Sequence, residues 1–151
     1  MIIKRNFDAI KTLLTEIHKP EDIEIKRTEI IKLIKKTYRQ LRERAWDNLD
    51  DLAFHVTITK DLEEYKKTEP QHIKAAKRLI AKGYEVAAGD TIDFVKTRGK
   101  DVKPVSLAKN DEVDVEKYIE FLHNTFVQIL EPLGIEWERD ILGLCKLERF
   151  M

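Results

Sequence analysis

Apolar residues recur along this chain at two spacings, and the switch between them divides it into three stretches. Phe7, Ile10, Leu13, Leu14 and Ile17 fall three or four apart, the period of one helix face, and Pro20 closes that helix because proline has no backbone donor to offer. Behind the acidic start Glu21-Asp22, which suits the positive end of a helix dipole, Ile23, Ile30, Ile31, Ile34, Tyr38 and Leu41 form the stripe of a longer helix. Its other side carries Lys32, Lys35, Lys36, Arg39 and Arg42, the pattern of a solvated face. The period then drops to two: Leu52, Phe54, Val56 and Ile58 alternate with Ala53, His55 and Thr57, which predicts a half-buried strand.

A helix is predicted from Gln71 to Lys82, entered after Pro70 and stopped by Gly83, with Ile73, Ala76 and Ile80 on its core side. Gly89-Asp90 turns the chain into a strand over Thr91 to Val95. Arg98-Gly99-Lys100-Asp101 reads as an exposed hairpin tip before a return strand from Val102 to Leu107. Asp114 is placed to cap a helix with the stripe Tyr118, Phe121, Leu122, Thr125, Ile129 and Leu130, ended by Pro132 and Gly134. A last helical segment runs from about Trp137 to Phe150. The expected fold class is α+β and mostly α: a helical base over residues 1–51, a strand, helix and antiparallel hairpin over 52–109, and C-terminal helices over 110–151, all within one domain of 151 residues.

Composition narrows the classes without naming one. Five glycines and 37% charged residues describe a globular, helix-rich chain with a highly charged surface. One cysteine, Cys145, can form neither an internal disulfide nor a thiolate metal site, so a reducing, cytoplasmic setting is expected. Lys4-Arg5 interrupts Met1-Ile2-Ile3, and the pattern contains neither a signal peptide nor an apolar run of membrane-spanning length. Net charge is zero, yet the charges are segregated: 12 basic against 10 acidic residues over 1–51, 12 against 8 over 52–109, and 4 against 10 over 110–151. From Lys66 to Lys109 the ratio sharpens to 11 against 5, a surface suited to phosphate or simply to solubility.

Catalytic patterns are missing from the chain. His18, His55, His72 and His123 are far apart and belong to no zinc-binding run, and the glycines spell no phosphate loop. Asp90 and Asp93 straddle a strand start, where alternation separates them, so turn capping or solvation fits them better than a magnesium pair. No serine or cysteine has a histidine at a supporting spacing, so neither catalytic nor metal-ligating residues are expected here.

From Leu52 onward the order of short motifs resembles the thumb of family B DNA polymerases, the archaeal replicative type in particular. Ile58-Thr59-Lys60-Asp61-Leu62, then Tyr65-Lys66, Pro70 and His72-Ile73 running into Ala75-Ala76-Lys77-Arg78, is similar to the family's strand, Tyr-Lys turn and Pro-His helix. Lys82-Gly83 followed by Gly89-Asp90-Thr91-Ile92-Asp93-Phe94-Val95 is similar to its Gly-Asp-x-Ile-x-Tyr-Val strand, and Val113 to Gly134 to its last long helix. Ile2-Ile3-Lys4-Arg5-Asn6-Phe7 resembles the edge where the palm hands over to the thumb. Phe94 stands where the family usually has tyrosine, the hairpin is short, and the aspartate motif that holds the family's catalytic metals is absent.

The resemblance implies a non-catalytic part of a DNA-directed DNA polymerase, a nucleotidyltransferase, that grips primer–template duplex during replication and is inactive alone. Magnesium would belong to a larger partner chain carrying exonuclease, palm and fingers; this chain, itself without a cofactor, would be the small subunit of a split polymerase or an excised piece. The residues implied at the duplex are Thr59, Lys60, Tyr65, Lys66, His72, Lys74, Lys77, Arg78, Arg98 and Lys100, with His72 equally suited to a structural hydrogen bond. Leu147, Phe150 and Met151 fall at the spacing of a sliding-clamp docking plug, with Leu144 where a glutamine usually leads, or else form a core-facing helix end. Two other classes stay open: a free-standing DNA-binding protein, for which no base-reading helix is evident, and a helical protein–protein adaptor.

Overall fold

The computed structural model describes residues 1–65 and 69–143. Contacts divide the chain into two compact units, Trp46–Asp114 and a helical unit made of Ile2–Ala45 with the chain from Val115 on. The mostly helical α+β class holds.

The helical unit is built on α1 (Ile2–Thr15), α2 (Pro20–Arg42) and α4 (Val115–Leu130), each packed on the other two. α1 begins five residues before the expected Phe7, and the reason is its buried face: Ile2, Ile3, Asn6 and Ile10 point inward, while Phe7, Leu13, Leu14 and Ile17 are half-buried flanks. Pro20 does not close that helix. α1 has already ended at Thr15, and Pro20 is the first residue of α2, where its missing N–H is no loss and its fixed φ suits a helical start. Asp22 completes that start, its Oδ2 accepting from the backbone N–H groups of His18 and Lys19 at 3.1 and 3.2 Å.

The inward face of α2 is Ile30, Ile34, Thr37 and Leu41; Ile23, expected on that stripe, is 40% exposed, about two turns before the first buried residue of the helix. α4 buries Val115, Tyr118, Ile119, Leu122, Phe126 and Leu130, so Phe121, Thr125 and Ile129 flank the stripe rather than centre it. Gly134, at φ +70°, takes the left-handed turn that ends this arm, and Trp137–Ile141 forms a single wide helical turn. Two polar side chains, Asn6 and Thr37, are sealed among these apolar groups, and the Asn6 amide donates to the Thr37 hydroxyl.

The other unit is a three-stranded antiparallel sheet in the order β1 (Phe54–Thr57), β2 (Thr91–Thr97), β3 (Asp101–Pro104), with α3 (Gln71–Ala81) laid on one face. Phe54 stands opposite Phe94 and stacks on it at 5.5 Å, and Phe94 in turn faces Pro104. Pro104 is the reason β3 is shorter than the expected Val102 to Leu107: it cannot donate to a ladder, and the chain turns there. Ile58, Ile73, Ala75, Ala76, Ile92, Phe94 and Val102 make the core between helix and sheet. Ile80, expected on the core side of α3, is 42% exposed, and Leu79 packs against the core in its place. α3 is capped as expected, with Gly83 at φ +97° just beyond its end.

The buried Asn6–Thr37 pair yields a stability prediction. Asn6→Ala leaves the Thr37 hydroxyl unpaired and opens a void, at an expected cost of about 1–3 kcal/mol. Chemical denaturation should show this loss, and adding Thr37→Val to Asn6→Leu should recover most of it, because two apolar groups need no partner.

Candidate nucleic-acid interface

Packing α3 on the sheet through Ile73, Ala75 and Ala76 fixes which of its side chains reach solvent. Lys74, Lys77 and Arg78 fall on the outward side, three and four residues apart, and all three are exposed. With Glu69, Ala81 and Asp101 they line a shallow cavity of about 400 Å³ between the helix and the first residue of β3. The β2–β3 tip, Arg98-Gly99-Lys100, leads directly into Asp101, and both of its cations are exposed. This arrangement brings together the α3 cations with Asp101 at the root of the hairpin tip.

A second group gathers where the chain enters α3. Lys60 Nζ lies 5.8 Å from the centre of the Tyr65 ring, and Tyr65 meets the His72 ring edge-on at 6.1 Å. Thr59 and Lys60 are exposed, whereas Tyr65 and His72 are half-buried. Tyr65 packs against the α3–sheet core, so its ring positions Lys60 as well as offering a phenolic hydroxyl. Lys66 lies outside the described residues, as do Leu147, Phe150 and Met151 of the clamp-like motif.

Carboxylates at this surface are what the residue pattern did not reveal. Lys77 Nζ pairs with Glu69 at 3.2 Å, and the Arg78 guanidinium pairs with Asp101. Both pairs are solvent-exposed, a setting in which an ion pair is worth about 1 kcal/mol or less, so phosphate can compete for either cation. Among the described residues no carboxylate pairs with Lys60, Lys74, Arg98 or Lys100. Glu69 and Lys77 are eight residues apart and Arg78 and Asp101 twenty-three, separations at which only the fold can pair them.

The hairpin is held by a network centred on Glu112. Its carboxylate accepts from Lys103 on β3 and, at 2.9 Å, from the backbone N–H of Lys109, while its own carbonyl accepts from the N–H of Arg98 at 3.1 Å. The Lys103 hydrogen bond, more than any other interaction, holds the Glu112 carboxyl below the usual carboxylate range. Lys103 is thereby committed to structure. Lys100 sits at φ +58°, a left-handed conformation in which a side chain is disfavoured relative to glycine.

On the exposed side of the sheet, Asp50, His55 and Asp93 present ligand-type atoms within 4.8 Å of one another. The signal for this trio was the register, which sets His55 directly opposite Asp93. His55 Nδ1 already hydrogen-bonds Asp93 Oδ1, and an imidazole in the donor set does not suit magnesium, which prefers oxygen ligands. The trio therefore does not fit the catalytic magnesium of a polymerase. Asp90 stands apart from Asp93 and caps a turn, its Oδ2 accepting from the N–H of Ala87 at 2.9 Å.

Comparison with known proteins decides the family. A profile described as DNA polymerase family B matches residues 2–133. The chain belongs to DNA polymerase family B. It is 45% identical over 150 residues to DNA polymerase 1 of Sulfolobus acidocaldarius, a match that covers 98% of this chain and 17% of that protein. DNA polymerase 1 of Saccharolobus solfataricus is 44% identical over 149 residues, with the same two shares. The solved family B polymerase of the hyperthermophilic archaeon Pyrobaculum calidifontis superposes with a TM-score of 0.71 at 27% identity, over 89% of this chain and 18% of its own. This family B chain thus spans about a sixth of the length of the polymerases it matches.

Two predictions come from the hairpin of this polymerase segment. With its folded pKa depressed, Glu112 stabilises the unit fully above the unfolded carboxylate value, and that contribution disappears as pH falls through the lower folded value. Denaturation of wild type and Glu112→Gln should differ most near neutral pH and converge in strong acid. Lys100→Gly removes the left-handed penalty and should stabilise the fold by about 1 kcal/mol in the same assay.

Proposed function

We propose that this chain is the duplex-gripping thumb of a family B DNA polymerase, serving DNA replication and processivity while nucleotidyl transfer resides in a larger chain with exonuclease, palm and fingers. The observation that carries the reading is the exposed α3 face, Lys74, Lys77 and Arg78, set beside the root of a hairpin whose tip holds Arg98 and Lys100. Family membership supports it by making primer–template duplex the polyanion at hand.

Holding duplex of any sequence while letting it advance calls for contacts to phosphate rather than to base edges. Lysine and arginine side chains supply them as mobile charges. Thr59, Tyr65 and His72 bring hydroxyl and imidazole groups that set register on the backbone. The Lys77–Glu69 and Arg78–Asp101 pairs lower the cost of leaving the duplex: when phosphate departs, each cation has a carboxylate waiting, so the grip loosens one step without stranding charge. The reading assigns nucleotidyl transfer elsewhere because the aspartate motif that holds the family's catalytic metals is absent from the sequence.

The experiment is a titration of fluorescent duplex with the chain across a salt series. Neutralising about five phosphates predicts a log–log slope of roughly −4 to −5. Substituting Lys74, Arg98 and Lys100 by glutamine should reduce that slope by about 1 for each phosphate no longer neutralised, equally on duplexes of unrelated sequence. Salt-independent binding, or a slope untouched by the three substitutions, overturns the proposal.

A further inference from the structure

We propose that the C-terminal half of α2 carries a second duplex-backbone site, built from Lys32, Lys35, Lys36 and Arg39 in the helical unit rather than in the unit of α3 and the hairpin. These residues follow one another at three, four and seven positions, so they form one stripe diametrically opposite Ile30, Ile34, Thr37 and Leu41, the buried side of the helix. With Gln40 and Glu43 they line a shallow cavity of about 340 Å³. Of the residues lining it, Glu43 at the end of the stripe is the one with a negative charge.

What separates this stripe from an ordinary solvated face is its lack of counter-charge. Several cations of the same unit are paired: Lys26 with Glu16 at 2.6 Å, Arg42 with Glu116, and Arg139 with Asp140 at 2.8 Å. Among the described residues Lys32, Lys35, Lys36 and Arg39 have neither an ion pair nor a side-chain hydrogen bond. Four like charges at three- and four-residue spacings repel one another along the helix. The helix dipole offsets that only within the last turn, which leaves Lys32, Lys35 and Lys36 uncompensated until a polyanion arrives.

Geometry selects the polyanion. From Lys32 to Arg39 the stripe rises roughly 10 Å, about three phosphate-to-phosphate steps along one strand of duplex DNA. Stacking on unpaired bases needs aromatic rings. The stripe carries none: Tyr38 is turned to Arg42, 5.4 Å away, and to Trp137. A lipid surface calls for a continuous exposed apolar face beside the cations; here Ile30, Ile34 and Leu41 are buried, and the exposed Ile23 and Ile25 of α2 lie in its N-terminal half, before the stripe begins. The ligand class, DNA, rests on the thumb reading above, whereas the surface itself does not.

The test compares two variants of the whole chain by anisotropy with fluorescent duplex over a salt series. Lys32→Gln, Lys35→Gln, Lys36→Gln and Arg39→Gln together keep good helix formers on a solvent face, and circular dichroism checks that the helix persists. Removing about three phosphate contacts should make the salt slope shallower by roughly 2 to 3 and weaken binding at least tenfold at low salt. Replacing the three lysines by arginine should preserve the wild-type slope. An unchanged slope in the glutamine variant, with the Lys74, Arg98 and Lys100 variant still impaired, overturns this site and leaves the thumb reading standing. The reverse result supports this site and sinks the α3 and hairpin grip. If the glutamine variant no longer binds a polyglutamate peptide while its duplex binding stays intact, the partner is an acidic protein and the duplex assignment fails.

Discussion

The close fit of α3 on the three-stranded sheet is the contact on which the functional reading depends. Ala75 and Ala76 are small enough to let the helix approach the sheet, and Ile73 reaches past them to Ile92, Phe94 and Val102. Burying that face leaves Lys74, Lys77 and Arg78 nowhere to go but outward, at a spacing set by the helix itself. A polar residue at position 75 or 76 would disturb the packing and the charged surface together. The hairpin is tied to the same sheet by the Phe94–Pro104 pairing and by Glu112, so helix and hairpin present their cations from one framework.

Charge in this chain is balanced overall and uneven locally, and the fold decides which charges remain available. Lys103 is held by Glu112, and Arg42 and Arg139 are held in the helical unit. Lys77 and Arg78 occupy an intermediate state, paired on an exposed rim where water screens the attraction. On the proposed reading, such a surface would take phosphate by exchange of partners rather than by capture. That suits a protein whose ligand must move past it, because each contact is made and broken at small net cost.

Membership in family B gives these surfaces a context while leaving the rest of the enzyme to other residues. The chain corresponds to about a sixth of its relatives' length, and the architecture it shares at 27% identity with the Pyrobaculum calidifontis enzyme lies in helix and sheet packing. A gripping role asks for rigid elements with charged exteriors. Both compact units have that character: the helical unit through its sealed Asn6–Thr37 pair and the Tyr118–Phe126 core, the sheet unit through the Phe54–Phe94 stack.

Sequence alone determined the elements whose causes are local. The alternating strand, which the structure shortens from Leu52–Ile58 to Phe54–Thr57 because Leu52 ends a 3-10 turn, the Pro70 entry and Gly83 exit of α3, and the turn at Arg98 to Lys100 follow from backbone preferences that act within a few residues. The cationic face of α3 was legible for the same reason, since helical geometry places Lys74, Lys77 and Arg78 together whatever surrounds them. Other expectations failed where the cause was distant. Ile80 yields its core position to Leu79 and Ile23 stays exposed, each because of what lies against the element rather than what lies within it. Pairing of Arg78 with Asp101, of Lys77 with Glu69 and of His55 with Asp93 was decided only by the tertiary structure. Charge can be counted along a sequence, but whether a cation is free or neutralised depends on through-space distance, and that distance is fixed by the fold.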